Sequence, residues 1–248
     1  MENPHQCYEI RNGHEDIVIF IHGICGSPGQ LRPLAEAASA AGFDCVALLL
    51  PGHGGCYADF ARTRRGAWLQ HVQRAIDEVR TCYRRVFLVG HSLGALLCLD
   101  YAARKALDGL VLLNAPLRFR ISPRQLALSL RVLLGNPRRD DALLQAYRAG
   151  FGICGGNPLY AALWVRPFWL LLEHIRDIRP MLTRVTAPVL LVQSALDESV
   201  HPKSAALLEN GLLHAKVTAL KLEQSHHGYF PPADERALRE ALLHFIAR

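Results

Sequence analysis

Apolar and polar residues alternate along this chain in blocks that predict a repeating strand–helix order. Ile17-Val-Ile-Phe-Ile21 is a short β-branched run ending at His22-Gly23, and reads as a buried strand. A helix is expected from Pro28 to Ala41, where Gly42 stops it. Cys45-Val-Ala-Leu-Leu-Leu50 predicts a second buried strand, closed by Pro51-Gly-His-Gly-Gly55. Between Gly66 and Tyr83 the apolar positions Trp68, Leu69, Val72, Ile76 and Val79 follow helical spacing. Arg85–Val89 predicts a strand, Leu93–Ala106 a helix and Gly109–Leu113 a strand. After Pro188 the rhythm resumes with Val189–Val192 (strand), Pro202–Gly211 (helix), Lys216–Leu222 (strand) and Pro232–Ala247 (helix). Strands alternating with helices imply an α/β fold with a mostly parallel central sheet flanked by helices.

The alternation breaks between residues 116 and 186. Helical runs there are interrupted by Pro123, Pro137, Pro158, Pro167 and Pro180, with no buried-strand pattern. This predicts a core made of residues 1–115 and 187–248, with 116–186 inserted as a helical cap. The insertion starts just past the C-terminal end of a strand, where open α/β sheets bind ligands.

Charge sharpens that division. The 248-residue chain carries a formal +6. Residues 116–186 hold 11 Arg, no Lys and 4 acidic residues, a net +7, while the rest is close to neutral with 17 basic and 18 acidic residues. The same segment carries Phe119, Tyr147, Phe151, Tyr160, Trp164, Phe168 and Trp169. An Arg-rich, aromatic segment suits an anionic surface, but Arg stems also commonly lie over apolar surface with the head in water, and that plain reading is preferred. No nucleic-acid partner is expected; a weak contact of the cap with an anionic membrane surface is the partner reading carried forward.

Half the residues are apolar, which excludes disorder. The seven Cys (Cys7, Cys25, Cys45, Cys56, Cys82, Cys98, Cys154) are scattered with no C-x-x-C pair, so neither a disulfide framework nor a thiolate zinc site is expected. Cys45, Cys82 and Cys98 sit among apolar residues and read as small hydrophobes. Free thiols, no signal-peptide pattern at the N-terminus and no apolar run of membrane-spanning length together predict a cytoplasmic protein.

The strongest chemical signal is Gly90-His91-Ser92-Leu93-Gly94, a G-x-S-x-G run between a predicted strand and a predicted helix. A serine in so sharp a turn needs glycine two residues before and after, because side chains there would collide with strand and helix. The turn lifts the Ser92 hydroxyl to the sheet edge and leaves the Leu93 N–H at a helix start, where an anion is favoured. His22-Gly23-Ile24-Cys25-Gly26 also follows a strand, and the Ile24 N–H is the expected second donor of an oxyanion hole. Cys25 in that loop reads as a small filler in preference to a reactive thiol. A serine nucleophile needs a base, and the base needs an orienting acid. Past the strand 189–192 comes Asp197-Glu198, with Asp197 preferred and Glu198 the alternative; past the last strand come His226-His227, which periodicity does not separate. Adjacent histidines diverge and no further ligand stands at metal spacing, so no metal is expected, and no organic cofactor.

These landmarks resemble the capped α/β-hydrolases, and within them the bacterial carboxylesterase and monoacylglycerol-lipase-like group. The resemblance covers nearly the whole chain outside the cap: H-G-x-x-G-S at 22–27, L-x-L-P-G-H-G at 48–54, Trp68, G-x-S-x-G at 90–94, Q-x-x-x-D-E at 193–198 and E-Q-S-x-H at 223–227. It implies an α/β-hydrolase fold with a helical cap and a Ser-His-Asp triad of Ser92, His227 and Asp197. The histidine of S-x-H is His227, and the oxyanion donors are the N–H groups of Ile24 and Leu93. His22, Gly23, Gly90, His91 and Gly94 support these motifs. The implied activity is hydrolysis of small carboxylic esters, with short-to-medium acyl chains or monoacylglycerols. Thioester, amide or C–C hydrolysis on the same triad is the alternative, and a non-catalytic binding module on the same scaffold the third reading. The cap, with its Arg excess and Gly155-Gly156, departs most from the resemblance.

Overall fold

The structure is a computed structural model and describes residues 5–120, 123, 125, 127, 128, 131, 141–153, 155 and 157–248. Pro137, Cys154, Gly156, Arg124, Arg138 and Arg139, all used in the sequence reading, lie outside these residues.

Seven strands of the described residues form one sheet: β1 (Tyr8–Ile10), β2 (Asp16–Ile21), β3 (Asp44–Leu48), β4 (Arg85–His91), β5 (Gly109–Leu113), β6 (Val189–Ser194) and β7 (Val217–Leu222). Their order is β1-β3-β2-β4-β5-β6-β7. Only β1 is antiparallel, to β3; every other pair is parallel. The period of two explains the layers. Ile17, Ile19 and Ile21 join one apolar cluster with Leu88, Leu110 and Leu191, while Val18 and Phe20 join the opposite one with Val89, Val111 and Leu190. Both faces are covered, so the central strands read as unbroken apolar runs.

Eight α-helices are described: α1 (Arg32–Ala40), α2 (Tyr57–Arg62), α3 (Arg65–Arg80), α4 (Leu93–Ala102), α5 (Ala142–Gly150), α6 (Val165–Ile178), α7 (Lys203–Gly211) and α8 (Pro232–Ile246). α1 and α8 supply Leu34, Ala38, Leu238 and Leu242 to one cluster; α3, α4 and α6 supply Trp68, Leu96 and Ile175 to the other. All ten residues of α4 are buried, because it lies between the sheet and α3 and α6. Its sequence is therefore apolar all round instead of striped. Between β5 and β6 the described elements are helical: α5, α6 and the 3-10 segments Pro158–Trp164 and Arg179–Arg184. A single antiparallel bridge, Phe119 to Val200, ties the start of this segment to the loop after β6.

Several expectations shift. The helix expected from Pro28 begins as a 3-10 turn, Pro28–Leu31, and α1 proper starts at Arg32 with Pro33 in its first turn. β3 spans Asp44–Leu48, so Leu49 and Leu50 already belong to the following loop. α4 ends at Ala102, not Ala106, as Arg104 and Lys105 both donate to the Tyr101 carbonyl. Cys82 is exposed. It lies two residues beyond the end of α3, so the helical stripe of Trp68, Val72 and Ile76 no longer governs it. Two elements were not foreseen. β1 is three half-exposed residues on the sheet edge. α2 is capped by Cys56, whose N–H is held by Asp59 at 3.3 Å, without the usual Ser or Thr signal.

A parallel sheet brings strand C-termini to one edge. That edge gathers His22–Ser27 after β2, Ser92 after β4, Asn114 after β5, Asp197 after β6 and His226–His227 after β7.

Candidate active site

Ser92 sits between β4 and α4 with φ 52° and ψ −113°, a positive φ that few non-glycine residues adopt. Such strain costs ~1–3 kcal/mol and persists only where neighbours over-determine it. The flanking glycines do this. A Cβ on Gly90 would stand 2.5 Å from the Ala95 nitrogen, and one on Gly94 2.0 Å from the Ile21 carbonyl oxygen. The strand–turn–helix can close this tightly only with glycine at both positions.

The geometry then separates the two histidines. His227 Nε2 accepts from the Ser92 hydroxyl at 3.1 Å, and His227 Nδ1 donates to Asp197 Oδ2 at 2.8 Å. His226 turns the other way, its Nδ1 3.2 Å from Glu198 Oε2. The Asp-Glu and His-His pairs are thus matched one to one. Asp197 is almost fully buried, and its Oδ1 accepts the Ser199 and Val200 N–H groups at 2.8 and 2.7 Å. Burial opposes its charge, but His227 and these two amides outweigh it and lower its pKa. For His227, burial works against the imidazolium, while the charge and hydrogen bond of Asp197, reinforced by Glu198, raise its pKa above the usual histidine value. Ser92, His227 and Asp197 therefore form a hydrogen-bonded series able to pass a proton off the hydroxyl.

The loop after β2 is held by neighbouring histidines. His22 Nε2 accepts the Leu50 N–H at 3.0 Å, and its Nδ1 donates to the Gly23 carbonyl at 2.8 Å. His53 Nε2 accepts the Cys25 N–H at 3.1 Å. Cys25 has φ 58°, a second strained position at this edge. Both histidines are buried and kept neutral by burial, His53 down to about 4. Gly23 meets the serine turn directly, since a Cβ there would be 2.9 Å from His91 Nδ1 and 3.0 Å from Ser92 Cβ. The Ile24 and Leu93 N–H groups make no hydrogen bond among the described residues, and Ile24 lines the same cavity as Ser92. Burial pushes the Cys25 thiol pKa up, which fits a filler and not a reactive thiolate.

Asn114, Gly152 and Gly228, which the sequence did not single out, complete the site together with His91 and Tyr147. Asn114, with φ 48°, donates from Nδ2 to the His227 carbonyl and to Ser194 Oγ, each at 3.0 Å, and its Oδ1 accepts the Ser194 N–H at 2.8 Å. His91 Nε2 donates to the same His227 carbonyl at 2.7 Å. A polar residue placed directly after a buried strand was the available signal for Asn114. From the inserted segment, the Tyr147 hydroxyl donates to Glu198 Oε1 and accepts the Gly228 N–H at 3.2 Å. Gly152 donates its N–H to the Cys25 carbonyl at 2.8 Å and accepts the Gly54 N–H at 2.6 Å.

The site opens into a cavity of about 240 Å³, walled by Phe119, Leu128, Phe151, Trp164 and Phe168, with Gln30, Tyr147 and Glu198 as polar points. No group of three or more His, Cys, Asp or Glu among the described residues is arranged to hold a metal. No described helix is long and apolar enough to cross a membrane.

A mostly parallel sheet with a strained serine at the β4–α4 turn, facing a histidine and an aspartate from later strand ends, defines the class. The chain belongs to the alpha/beta hydrolase family, whose model matches residues 18–241. It is 27% identical over 238 residues to a thermostable monoacylglycerol lipase of Bacillus sp. (strain H-257), spanning 93% of this chain and 90% of that protein. Among solved structures it is similar to one from the metagenome-derived lipolytic enzymes LipS and LipT, with TM-score 0.76 and 24% identity over 99% of this chain and 98% of that one. It is also similar to the monoacylglycerol lipase of Paleococcus ferrophilus, with TM-score 0.70 and 21% identity over 97% and 99%. At these identities the structural likenesses establish the fold.

Proposed function

We propose that this chain is a serine hydrolase of carboxylic esters working through an acyl-enzyme. The observation that carries the reading is the series Ser92–His227–Asp197, at 3.1 and 2.8 Å, opening into an apolar cavity. His227 takes the Ser92 proton as the hydroxyl attacks the ester carbonyl, and Asp197 holds the imidazole and stabilises its charge. The N–H groups of Ile24 and Leu93 receive the oxyanion. His227 then protonates the leaving alcohol, and a water activated by His227 releases the acid.

The cavity limits the substrate. About 240 Å³ corresponds to roughly eight water-sized groups, which suits a short-to-medium acyl chain. Its aromatic wall and the likeness to a monoacylglycerol lipase favour an ester of glycerol or a similar small alcohol. Residues 116–186 act in this reading as the cap, since Tyr147, Phe151, Trp164 and Phe168 all line the cavity. Leu159, Leu163, Val165 and Trp169 of the same segment are exposed. With the segment's Arg excess they favour a weak contact with anionic lipid, tested by salt-sensitive binding to phosphatidylglycerol vesicles.

The test of the activity is Ser92→Ala on a panel of p-nitrophenyl esters, acyl thioesters and aminoacyl amides. Ester turnover should fall by about four to six orders of magnitude with folding intact, and a fluorophosphonate probe should label wild type alone. Near-normal turnover in the variant overturns the mechanism. Esters as the poorest class would move the reading to another bond, and a wild type that neither turns over nor labels would make the chain a binding module.

A further inference from the structure

One polar contact reaches the site from outside the hydrolytic machinery. Tyr147 lies in the middle of α5, its ring packed against the small apolar cluster of Leu128 and Leu144. Its hydroxyl donates to Glu198 and accepts the Gly228 N–H at 3.2 Å. Those partners are the chain neighbours of Asp197 and His227. Glu198 also reaches His226 Nδ1 at 3.2 Å, so one hydroxyl closes a ring through residues 198, 226 and 228 that flanks the base on both sides and adjoins the acid. Glu198 is buried, and a buried carboxylate demands such partners, which makes the ring stiff. Five residues on, the same segment holds the oxyanion side. Gly152 donates to the Cys25 carbonyl at 2.8 Å, and a Cβ on it would stand 2.0 Å from the Gly26 carbonyl oxygen.

We propose that Tyr147 is a positioning residue through which the segment between β5 and β6 aligns the His227 base, so that the inserted segment belongs to the reacting apparatus as well as to the pocket. The proposal rests on the hydrolase reading above. Reaction rates respond steeply to alignment, a misplacement of ~1 Å costing up to ~100-fold.

Tyr147→Phe keeps the ring packing and removes the hydroxyl alone. The assay is p-nitrophenyl acetate hydrolysis by the full chain, expressed per active site titrated with a fluorophosphonate, beside urea unfolding. The acetyl group is too small to need the cap wall. We expect kcat per titrated site to fall about tenfold, with KM within about twofold of wild type. Because Tyr147 acts through Glu198, the Tyr147→Phe/Glu198→Gln double variant should lose less than the product of the two single losses. A kcat per site within about twofold of wild type overturns the proposal, as does full multiplication of the two losses. A rise in KM at unchanged kcat also overturns it, making Tyr147 a substrate contact. A wild type without Ser92-dependent turnover of any ester removes the hydrolase reading first, and the proposal with it.

Discussion

Asn114 offers a sharp test of how the histidine loop is held. It is fully buried at the end of β5 with φ 48°, and its side chain makes three hydrogen bonds of 2.8–3.0 Å across to β6 and to the His227 carbonyl. Asn114→Ala removes all three. The His227 carbonyl keeps the His91 donor at 2.7 Å, but the Ser194 N–H loses the acceptor it has. An orphaned buried amide costs ~1–3 kcal/mol. Alanine also tolerates a left-handed backbone less well than asparagine, adding ~1 kcal/mol. The expected loss is about 3 kcal/mol, a large share of the ~5–15 kcal/mol that holds a domain folded. Urea unfolding followed by tryptophan fluorescence reads it directly, since Trp68 and Trp164 are both buried. Asn114→Gly loses the same bonds but accepts the backbone, so it should be less destabilised than Asn114→Ala by roughly 0.5–1 kcal/mol. With one of the two restraints on the His227 carbonyl gone, kcat on an acetate ester should drop about tenfold. An Asn114→Ala protein within ~0.5 kcal/mol of wild type, with unchanged kcat, would refute this account of the loop.

The raised His227 pKa places the acid limb of kcat/KM above the ordinary histidine value. The groups facing His227 are His91, Asp197 and Glu198, and Glu198→Gln removes one of the two negative charges, so a pH–rate profile should show the limb moving to lower pH. Stability should fall on mild acidification. Burial, with the His227 charge, holds His91 near about 3, and burial holds His53 near about 4. Below pH ~6.5 the unfolded chain therefore binds protons that the native state refuses. At pH ~4.5 each should cost about 2.7 kcal/mol, about 5 kcal/mol together, less what the oppositely shifted His227 returns. Urea midpoints equal at pH ~7 and ~4.5 would contradict this. Gly94→Ala drives a Cβ to 2.0 Å from a carbonyl of β2, and should yield little soluble protein, whereas a well-folded, active product would show that the turn can relax.

The parts of this protein legible in the sequence share a local cause. Buried parallel strands are continuous apolar runs because both faces are covered, and the Gly90–Gly94 turn is visible because backbone collisions exclude other residues at its flanks. Asp197 and the His226-His227 pair stood out because they follow strand ends, the edge where open sheets bind ligands. Periodicity could not separate His226 from His227, as adjacent loop residues follow no period; the S-x-H resemblance points to His227, and the partners, Glu198 for one and Asp197 for the other, show how the two differ. β1 and α2 escaped for a related reason, one lying half-exposed on the sheet edge and the other capped by a cysteine.

What stayed hidden depends on contacts between distant segments. Tyr147 stands 51 residues before Glu198 and 81 before Gly228, within a helix whose own pattern is that of any amphipathic helix. Gly152 resembles an ordinary loop glycine until Gly26 is seen against it. The 11 Arg of residues 116–186 dominate the composition there, yet among the described residues a tyrosine hydroxyl and a glycine backbone reach the serine's surroundings through hydrogen bonds. Charge marks a segment from its composition alone because it acts over several ångströms, whereas alignment of a base depends on hydrogen bonds near 3 Å that no count of residue types encodes.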